Sequence, residues 1–138
     1  MFKDKSHRYN RIMTTSQRKP VPIYTTAGDV DAFMVYPMIY SRVGEWIGFV
    51  TPQREVYSVY GEYVGWLSND PRILRKRSYS FDKPRLKPPP TPPRFTSPAS
   101  IPLAPMMSDL SFDTIDILQD EPDKLPTMDV GEFRPDMD

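Results

Sequence analysis

The sequence predicts a mainly β fold: a small repeat domain of β-hairpins around a pseudo-symmetry axis, with long disordered or extended N- and C-terminal arms. Two observations lead to this prediction. One short pattern begins at Ile23, again at Ile39 and again at Val56, so its period is about 16–17 residues. In addition, nine of the 17 prolines fall within residues 84–105. A run of that kind cannot form a helix or an interior strand and favours extended polyproline II structure.

Each copy of the pattern, at 23–34, 39–50 and 56–67, reads as one β-hairpin. A β-branched residue, Tyr and a small hydroxyl residue are followed by two variable positions, Gly and an acid. The flanks are rich in Val, Ile, Tyr, Phe and Trp, which suit a half-buried pleated surface. Two variable residues and a Gly fit a type I turn closed by a left-handed residue. The turn residues predicted on this basis are Gly28, Gly44 and Gly61.

Two further positions recur in every copy. The acid after the turn glycine, at Asp29, Glu45 and Glu62, is interpreted as a solvated turn residue. The second recurring position is a small residue, at Ala32, Gly48 and Gly65. A Gly or Ala inside a strand marks a place where another backbone comes close, so we expect this position at the centre of the domain.

A fourth unit begins one period after the third copy, over residues 73–81. It starts like the other copies, but it lacks the turn glycine and is followed at once by Pro84. We interpret it as a degenerate repeat whose first strand is kept and whose second strand is shortened or rebuilt.

These repeats, the Pro-rich arm and the later Leu110-Ser111-Phe112 together resemble the four-fold β-flower proteins. Members of that family carry four hairpin repeats of the form Val/Ile-Tyr-Asp-x-x-Gly-x-x-Val-Gly/Ala-Phe/Trp-Leu, then a Pro-rich arm. The resemblance is firm over residues 23–82 and loose over 83–118. The departures are the missing fourth Gly, Thr or Ser in place of the family's Asp, and an extended acidic tail. The resemblance implies the fold and no activity.

Composition and charge divide the chain into four parts. We predict a basic flexible arm (1–20), a β-hairpin repeat domain (21–82), a Pro-rich basic linker (83–105) and an acidic tail with a docking motif (106–138). The net charge is zero, but residues 1–20 carry six Lys or Arg against Asp4 alone, and residues 106–138 carry ten acids. This segregation favours electrostatic steering toward partners or association of tail with arm; the alternative is that both segments are simply solvated.

The same features restrict the location of the protein. The chain has no cysteine, which excludes disulfides and fits a reducing compartment. It has no apolar run near 18 residues and no apolar core after its basic N-terminus, so we expect neither a membrane span nor a secretory signal. The expected location is cytoplasmic, or peripheral to a membrane-associated complex.

An acidic-apolar stretch over residues 106–118 is the main candidate for partner recognition. Its spacing fits a helix and a strand equally well. Such a stretch is typical of docking motifs that order on binding, and the alternative is that it folds back onto the chain's own hairpins. The candidate partner-binding residues are Leu110, Phe112, Ile115, Ile117 and Leu118, together with the cationic cluster Arg75, Lys76 and Arg77.

Nothing in the sequence predicts catalysis. The one histidine, His7, lies in the basic arm, and the paired carboxylates are turn and tail acids. No phosphate-binding Gly loop, metal-ligand spacing or dinucleotide fingerprint is present, so we expect no cofactor and no metal.

Single-stranded nucleic-acid binding is the alternative function. Segment 72–87 interleaves Lys and Arg with Tyr79 and Phe81, a pattern that suits single strands. The neutral chain and its pI of 6.6 argue against a nucleic-acid partner.

The function favoured by the sequence is a non-enzymatic interaction module, a small linker or adaptor that docks onto a larger assembly or forms a homo-oligomer. Because β-flower chains are common in cyanobacteria, the resemblance makes a peripheral phycobilisome linker the most specific candidate. Ser78, which follows the cationic cluster, is a candidate phosphorylation site, as are Thr14 and Thr15. A phosphate would add about −1.5 to −2 charges there.

Overall fold

The described part of the chain forms a single antiparallel sheet of eight strands that follow one another in chain order. A computed structural model describes residues 19–128; the candidate sites Thr14 and Thr15 and the end of the acidic tail lie outside this range. The strands are β1 (Val21–Tyr24), β2 (Val30–Val35), β3 (Met38–Ser41), β4 (Trp46–Val50), β5 (Glu55–Ser58), β6 (Tyr63–Leu67), β7 (Ile73–Lys76) and β8 (Thr114–Asp116). A one-turn helix, α1 (Ile117–Asp120), and a 3-10 turn (Pro122–Lys124) follow β8. The predicted mainly β class is confirmed.

Each copy of the sequence pattern forms one hairpin: β1–β2, β3–β4 and β5–β6. At each hairpin tip, the glycine N–H donates to the carbonyl of the hydroxyl residue three positions earlier, at 2.9, 3.0 and 2.9 Å. Gly28, Gly44 and Gly61 have φ of 97°, 90° and 85°, the left-handed region that a Cβ disfavours. The turn therefore accounts for the glycine in all three copies.

The core is built from equivalent positions of the repeats. The first residue of each unit, Ile23, Ile39, Val56 and Ile73, is fully buried. The later small position lies where strands approach: a Cβ on Gly48 would overlap the carbonyl oxygen of Tyr57, and one on Gly65 that of Leu74. Ile73 is thus the start of a genuine fourth unit.

The second strand of the fourth unit comes from far along the chain. β7 pairs with β8 through Leu74↔Asp116, Arg75↔Ile115 and Lys76↔Thr114, so residues 77–113 form the connection of the fourth hairpin. The missing turn glycine is explained, because this hairpin has no tight turn.

This pairing decides between the two readings of the acidic-apolar stretch in favour of folding back. Ile115, Ile117 and Leu118 are buried in the chain's own core, with 4%, 0% and 7% of their surface exposed. Their assignment to a partner surface is therefore corrected: a partner would have to extract them from the core to bind them. Leu110 is half-buried, and Phe112 remains 90% exposed.

The Pro-rich segment, which we call the arm (residues 83–113), passes the hairpins in reverse order. The Leu86 N–H donates to the Gly61 carbonyl and the Phe95 N–H to the Gly44 carbonyl, both at 3.0 Å. The Tyr24 hydroxyl then donates to the Pro102 carbonyl at 2.8 Å. The arm therefore touches the third, second and first hairpins before it returns as β8.

Two Arg side chains accompany these contacts. Arg85 pairs with Glu62 at 2.8 Å and Arg94 with Glu45 at 3.6 Å. Glu45 and Glu62, interpreted above as solvated turn residues, therefore form ion pairs with the arm, although they remain half-exposed. Because all four side chains face water, each pair contributes only about 0.2–1 kcal/mol.

The hairpin tips generate a stability prediction with a built-in control. Gly61→Ala and Gly28→Ala both place a Cβ at positive φ, which costs about 1–2 kcal/mol. Only at Gly61 would that Cβ also overlap the arm, at the Leu86 carbonyl; at Gly28 no atom lies within 4 Å. We expect Gly61→Ala to lower the free energy of unfolding more than Gly28→Ala, as measured by chemical denaturation. Equal losses would contradict the observed seating of the arm on the third tip.

Candidate binding surfaces

A buried arginine joins the first hairpin, the β6–β7 turn and the end of the arm. Arg72 is 1% exposed. Its guanidinium donates twice to the Asp70 carboxylate, at 2.6 and 3.2 Å. It also donates to the Thr26 hydroxyl at 3.0 Å and to the Ser108 carbonyl at 2.9 Å. Arg72 belonged to the segment that predicted nucleic-acid binding, but the structure places it inside the protein, where it has a structural role.

Asp116 completes this junction from the other side. Its carboxylate is 1% exposed and accepts from both the N–H and the hydroxyl of Thr26, each at 2.7 Å. The same carboxylate caps α1 by accepting from the Gln119 N–H at 3.3 Å. The first hairpin, β8 and α1 are thereby held together by side chains rather than by strand pairing.

The cationic cluster that the sequence marked for partner binding is divided by the fold. Arg75 is 4% exposed and pairs with Glu121 at 2.8 Å, so it is part of the interior. Lys76 is exposed and lies 3.5 Å from the Asp113 carboxylate. Arg77 is exposed, donates to the Phe112 carbonyl at 3.1 Å and lies 5.7 Å from the centre of the Phe112 ring. Ser78 is exposed next to them. The structure therefore brings Arg77 and Phe112 together on the surface and removes Arg75 from it.

A series of aromatic rings lines a cleft beside the third hairpin. Ring centres in the lining lie 5.1 Å apart for Tyr63–Tyr79 and 5.0 Å for Tyr79–Phe81, and the buried Tyr57 ring lies behind them, 5.6 Å from Tyr63. The cleft has a volume of about 360 Å³, and Lys83, Arg85 and Lys124 also line it. Phe81 is 57% exposed and has φ of 61°, an outlier for a bulky side chain. Such strain is found more often at binding sites than elsewhere.

The charges around this cleft are largely compensated. Lys83 pairs with Glu55 at 3.2 Å and Arg85 with Glu62 at 2.8 Å. Lys124 forms no ion pair with any residue of the described range 19–128. Its ammonium lies 5.0 Å from the centre of the Phe81 ring. Burial, helped by the neighbouring Glu55 carboxylate, raises the pKa of Tyr57 to about 12. The Tyr57 hydroxyl therefore stays protonated at neutral pH and donates to Glu55 at 3.2 Å.

A second surface lies on the last part of the arm. Leu103, Met106 and Phe112 are 93%, 97% and 90% exposed. We call these three side chains the apolar row. The backbone of this segment is held before Leu103 by the bond from Tyr24 to Pro102, and between Met106 and Phe112 by the bond from Arg72 to Ser108. The row therefore projects from an ordered part of the chain.

Within residues 19–128 no group of three or more His, Asp or Glu side chains is placed to hold a metal ion. No helix in that range is long and apolar enough to cross a membrane. Comparison with protein-family models, with curated proteins and with solved structures found no match for this chain.

The junction generates a prediction about pH. Burial alone would raise the pKa of Asp70, but hydrogen bonds from Arg72 and Ser68 outweigh it and bring the pKa below the ordinary 3.8. Asp70 therefore adds stability above about pH 4, which is lost as the pH falls through its lowered folded-state pKa. We expect Asp70→Asn to reduce the free energy of unfolding at pH 7 and to flatten its decline below pH 4, as measured by urea denaturation at several pH values.

Asp31 is the control for this experiment because its slope has the opposite sign. Burial raises the pKa of Asp31 above 3.8, against the lowering effect of Arg42. The folded state then holds the proton more tightly than the unfolded state, so Asp31 costs stability as the pH rises through that window. Asp31→Asn should remove this cost. An Asp70→Asn variant with the pH profile of the unmodified protein would show that the Asp70–Arg72 pair adds nothing.

Proposed function

We propose that the protein is a non-enzymatic interaction module, a small linker or adaptor that docks onto a larger assembly or onto further copies of itself. The observation that carries the proposal is the apolar row: three large side chains that the fold holds in water. Burying each of them in an interface would contribute about 1.5–3 kcal/mol. Single exposed apolar residues are ordinary. Three within the ten residues 103–112 of one anchored segment support a role in contacting a partner.

The anchoring of the row supports a binding role. A segment that is already ordered loses less conformational entropy on association than a free tail does. The arm is fastened before the row at Pro102 and within it at Ser108, and β8 follows directly. The partner therefore meets a preformed surface.

The charged neighbours of Phe112 extend this surface. Arg77 lies against the Phe112 ring, and Lys76 is exposed beside it. Aromatic, Met and Arg side chains are enriched at the centres of protein interfaces. A phosphate on the exposed Ser78 would place about −1.5 to −2 charges next to these cations and weaken their attraction to an acidic partner. The more specific candidate, a peripheral phycobilisome linker, rests on the resemblance to β-flower proteins.

The test replaces the apolar row by Leu103→Ser, Met106→Ser and Phe112→Ser together. Because these side chains are exposed, we expect an unchanged melting temperature. We also expect loss of the complex that the tagged chain forms in its source, or of its self-association, measured by native size separation with light scattering. Val43→Ser, at a 62% exposed position on the second hairpin tip, is the matched control. A triple variant that assembles like the unmodified chain would refute this role for the row.

Single-stranded nucleic-acid binding remains a second candidate because of one observation. The rings of Tyr63, Tyr79 and Phe81 line an open cleft with Lys83 and Lys124 at its edge. Stacking of a base on such a ring contributes about 1–3 kcal/mol. The ion pairs of Lys83 and Arg85 weigh against this function, because a phosphate would have to displace Glu55 and Glu62.

This candidate is tested by fluorescence anisotropy with a labelled oligothymidine over a salt series. If the cleft binds single strands, Tyr79→Ala should weaken binding by about 5- to 150-fold, the equivalent of one lost stack. Lys124→Gln should lower the salt slope by about 0.7 if Lys124 contacts a phosphate. Phe112→Ala lies outside the cleft and should change neither quantity. No measurable binding by the unmodified chain at low salt would exclude this function.

A further inference from the structure

The first hairpin tip differs from the other two in one respect. At the second and third tips, an Arg-apolar dipeptide of the arm is seated on the turn: Arg94-Phe95 on Gly44 and Arg85-Leu86 on Gly61. In both cases the N–H of the apolar residue donates to the glycine carbonyl, and the Arg pairs with the following Glu. The two dipeptides lie nine residues apart in the arm. We call the turn glycine carbonyl and the carboxylate of the following acid the seat. Both occupied seats therefore bind the same chemical pattern, an Arg followed by an apolar residue.

Within residues 19–128, the arm does not occupy the equivalent position on the first tip, although the Ala27 N–H of that tip donates to Gln119 Oε1 at 3.1 Å. Gly28 is exposed, and a Cβ there would meet no atom within 4 Å, whereas Gly44 and Gly61 are buried under the arm. Within the described range, Asp29 pairs with no Lys or Arg. Nine residues after Arg94 and Phe95 the arm offers Leu103 and Ala104, which supply no cation. The arm instead touches this hairpin lower down, at Tyr24.

We propose that the tip formed by Ala27, Gly28 and Asp29 is a docking site for an extended Arg-apolar dipeptide, and that its occupant is the chain's own N-terminal segment 8–12. That segment contains two such dipeptides, Arg8-Tyr9 and Arg11-Ile12. By analogy with the two occupied tips, the Gly28 carbonyl is the acceptor offered to the N–H of the apolar residue of such a dipeptide, and the Asp29 carboxylate is the partner offered to its Arg.

Charge favours this occupant. Residues 1–20 carry six Lys or Arg against one acid. The first hairpin carries Asp29 after its turn glycine, whereas Asp31, two residues later, already pairs with Arg42 at 3.7 Å. Opposite charges on the two segments attract each other. Because a short tether joins them, the N-terminal segment is also present at a higher effective concentration near the tip than a free peptide would be.

The length of the tether is sufficient. The tip begins four residues after Val21, about 13 Å along the strand. The eight residues from Ile12 to Pro20 span up to about 27 Å when extended, enough to turn back and reach it. Lys19 and Pro20 line a cavity with Pro98, Ile101 and Pro102, so the described chain begins beside the arm, against the hairpin whose tip is uncovered.

Disulfide trapping tests the proposal directly, because the chain has no cysteine of its own. The test proteins are the full-length double variants Asp29→Cys with Arg11→Cys and Asp29→Cys with Arg8→Cys, under mild oxidation. Glu45→Cys with Arg94→Cys, an occupied seat, is the positive control. Glu45→Cys with Arg11→Cys has the same tail but a covered tip, and it measures random encounter.

We expect at least one Asp29→Cys variant to form an intramolecular disulfide, located by mass spectrometry, faster than the random-encounter control. High salt should reduce the difference, because screening at about 1 M leaves a Debye length of only 3 Å. A disulfide between two chains would assign the seat to a second copy and overturn the proposed occupant. Rates equal to the random-encounter control would overturn the seat itself.

Hydrogen exchange provides a second measurement without cysteines. The N–H groups of residues 9–12 should exchange more slowly in the unmodified chain than in Asp29→Lys, which repels the tail. Asp109→Lys, an exposed arm position, should leave this exchange unchanged. Equal exchange in all three proteins would contradict docking even if the cysteine variants fail to fold.

Discussion

The structure depends on the return of residues 114–118 to the fourth unit. Without β8, β7 would present an unpaired edge, and the core would be open where Ile115, Ile117 and Leu118 now lie. Closing the loop of residues 77–113 costs about 3 kcal/mol by the logarithmic length rule. Burying three aliphatic side chains contributes about 1.5–3 kcal/mol each, which outweighs that closure. The domain is therefore complete only when the chain includes the segment after the arm.

The prolines of the arm explain why it is extended and how it lies on the hairpins. Proline lacks an N–H and restricts the unfolded chain, so an extended proline-rich segment has few donors to satisfy and loses less entropy on ordering. Its non-proline residues Leu86 and Phe95 supply the donors, one for each of two hairpin tips. The Arg–Glu pairs beside them are exposed and weak. Backbone hydrogen bonds thus hold the arm on two hairpin tips, and the Arg–Glu pairs add a small contribution.

The first three hairpins were predictable because their signals are local. The Tyr, hydroxyl and Gly of each copy stand within six residues, and Ile73 marks the fourth start by the same period. β8 was not predictable, since three residues of ambiguous periodicity pair across the whole arm. Arg72 looked like part of a basic segment; its partner Asp70 was close in sequence, but Thr26 and Ser108 are brought to it only by the fold. The nine-residue spacing of Arg85-Leu86 and Arg94-Phe95 was visible in the sequence. Its meaning becomes clear only when it is matched to Gly44 and Gly61, the two tips that these dipeptides contact.

The first hairpin tip and the apolar row, the two proposed binding surfaces, have one physical origin. Up to Phe95 the arm keeps step with the hairpins, with one dipeptide on each tip. After Pro102 it has to reach Ser108 and the Arg72 junction to begin β8, so it leaves that register before it reaches the first tip. This departure uncovers Gly28, and it also lifts Leu103 and Met106 into water. A regular repeat folds without any such departure from its pattern. Positions where a sequence departs from its own repeat pattern are therefore the positions where binding sites are expected. The uncovered tip and the apolar row are two results of that single departure.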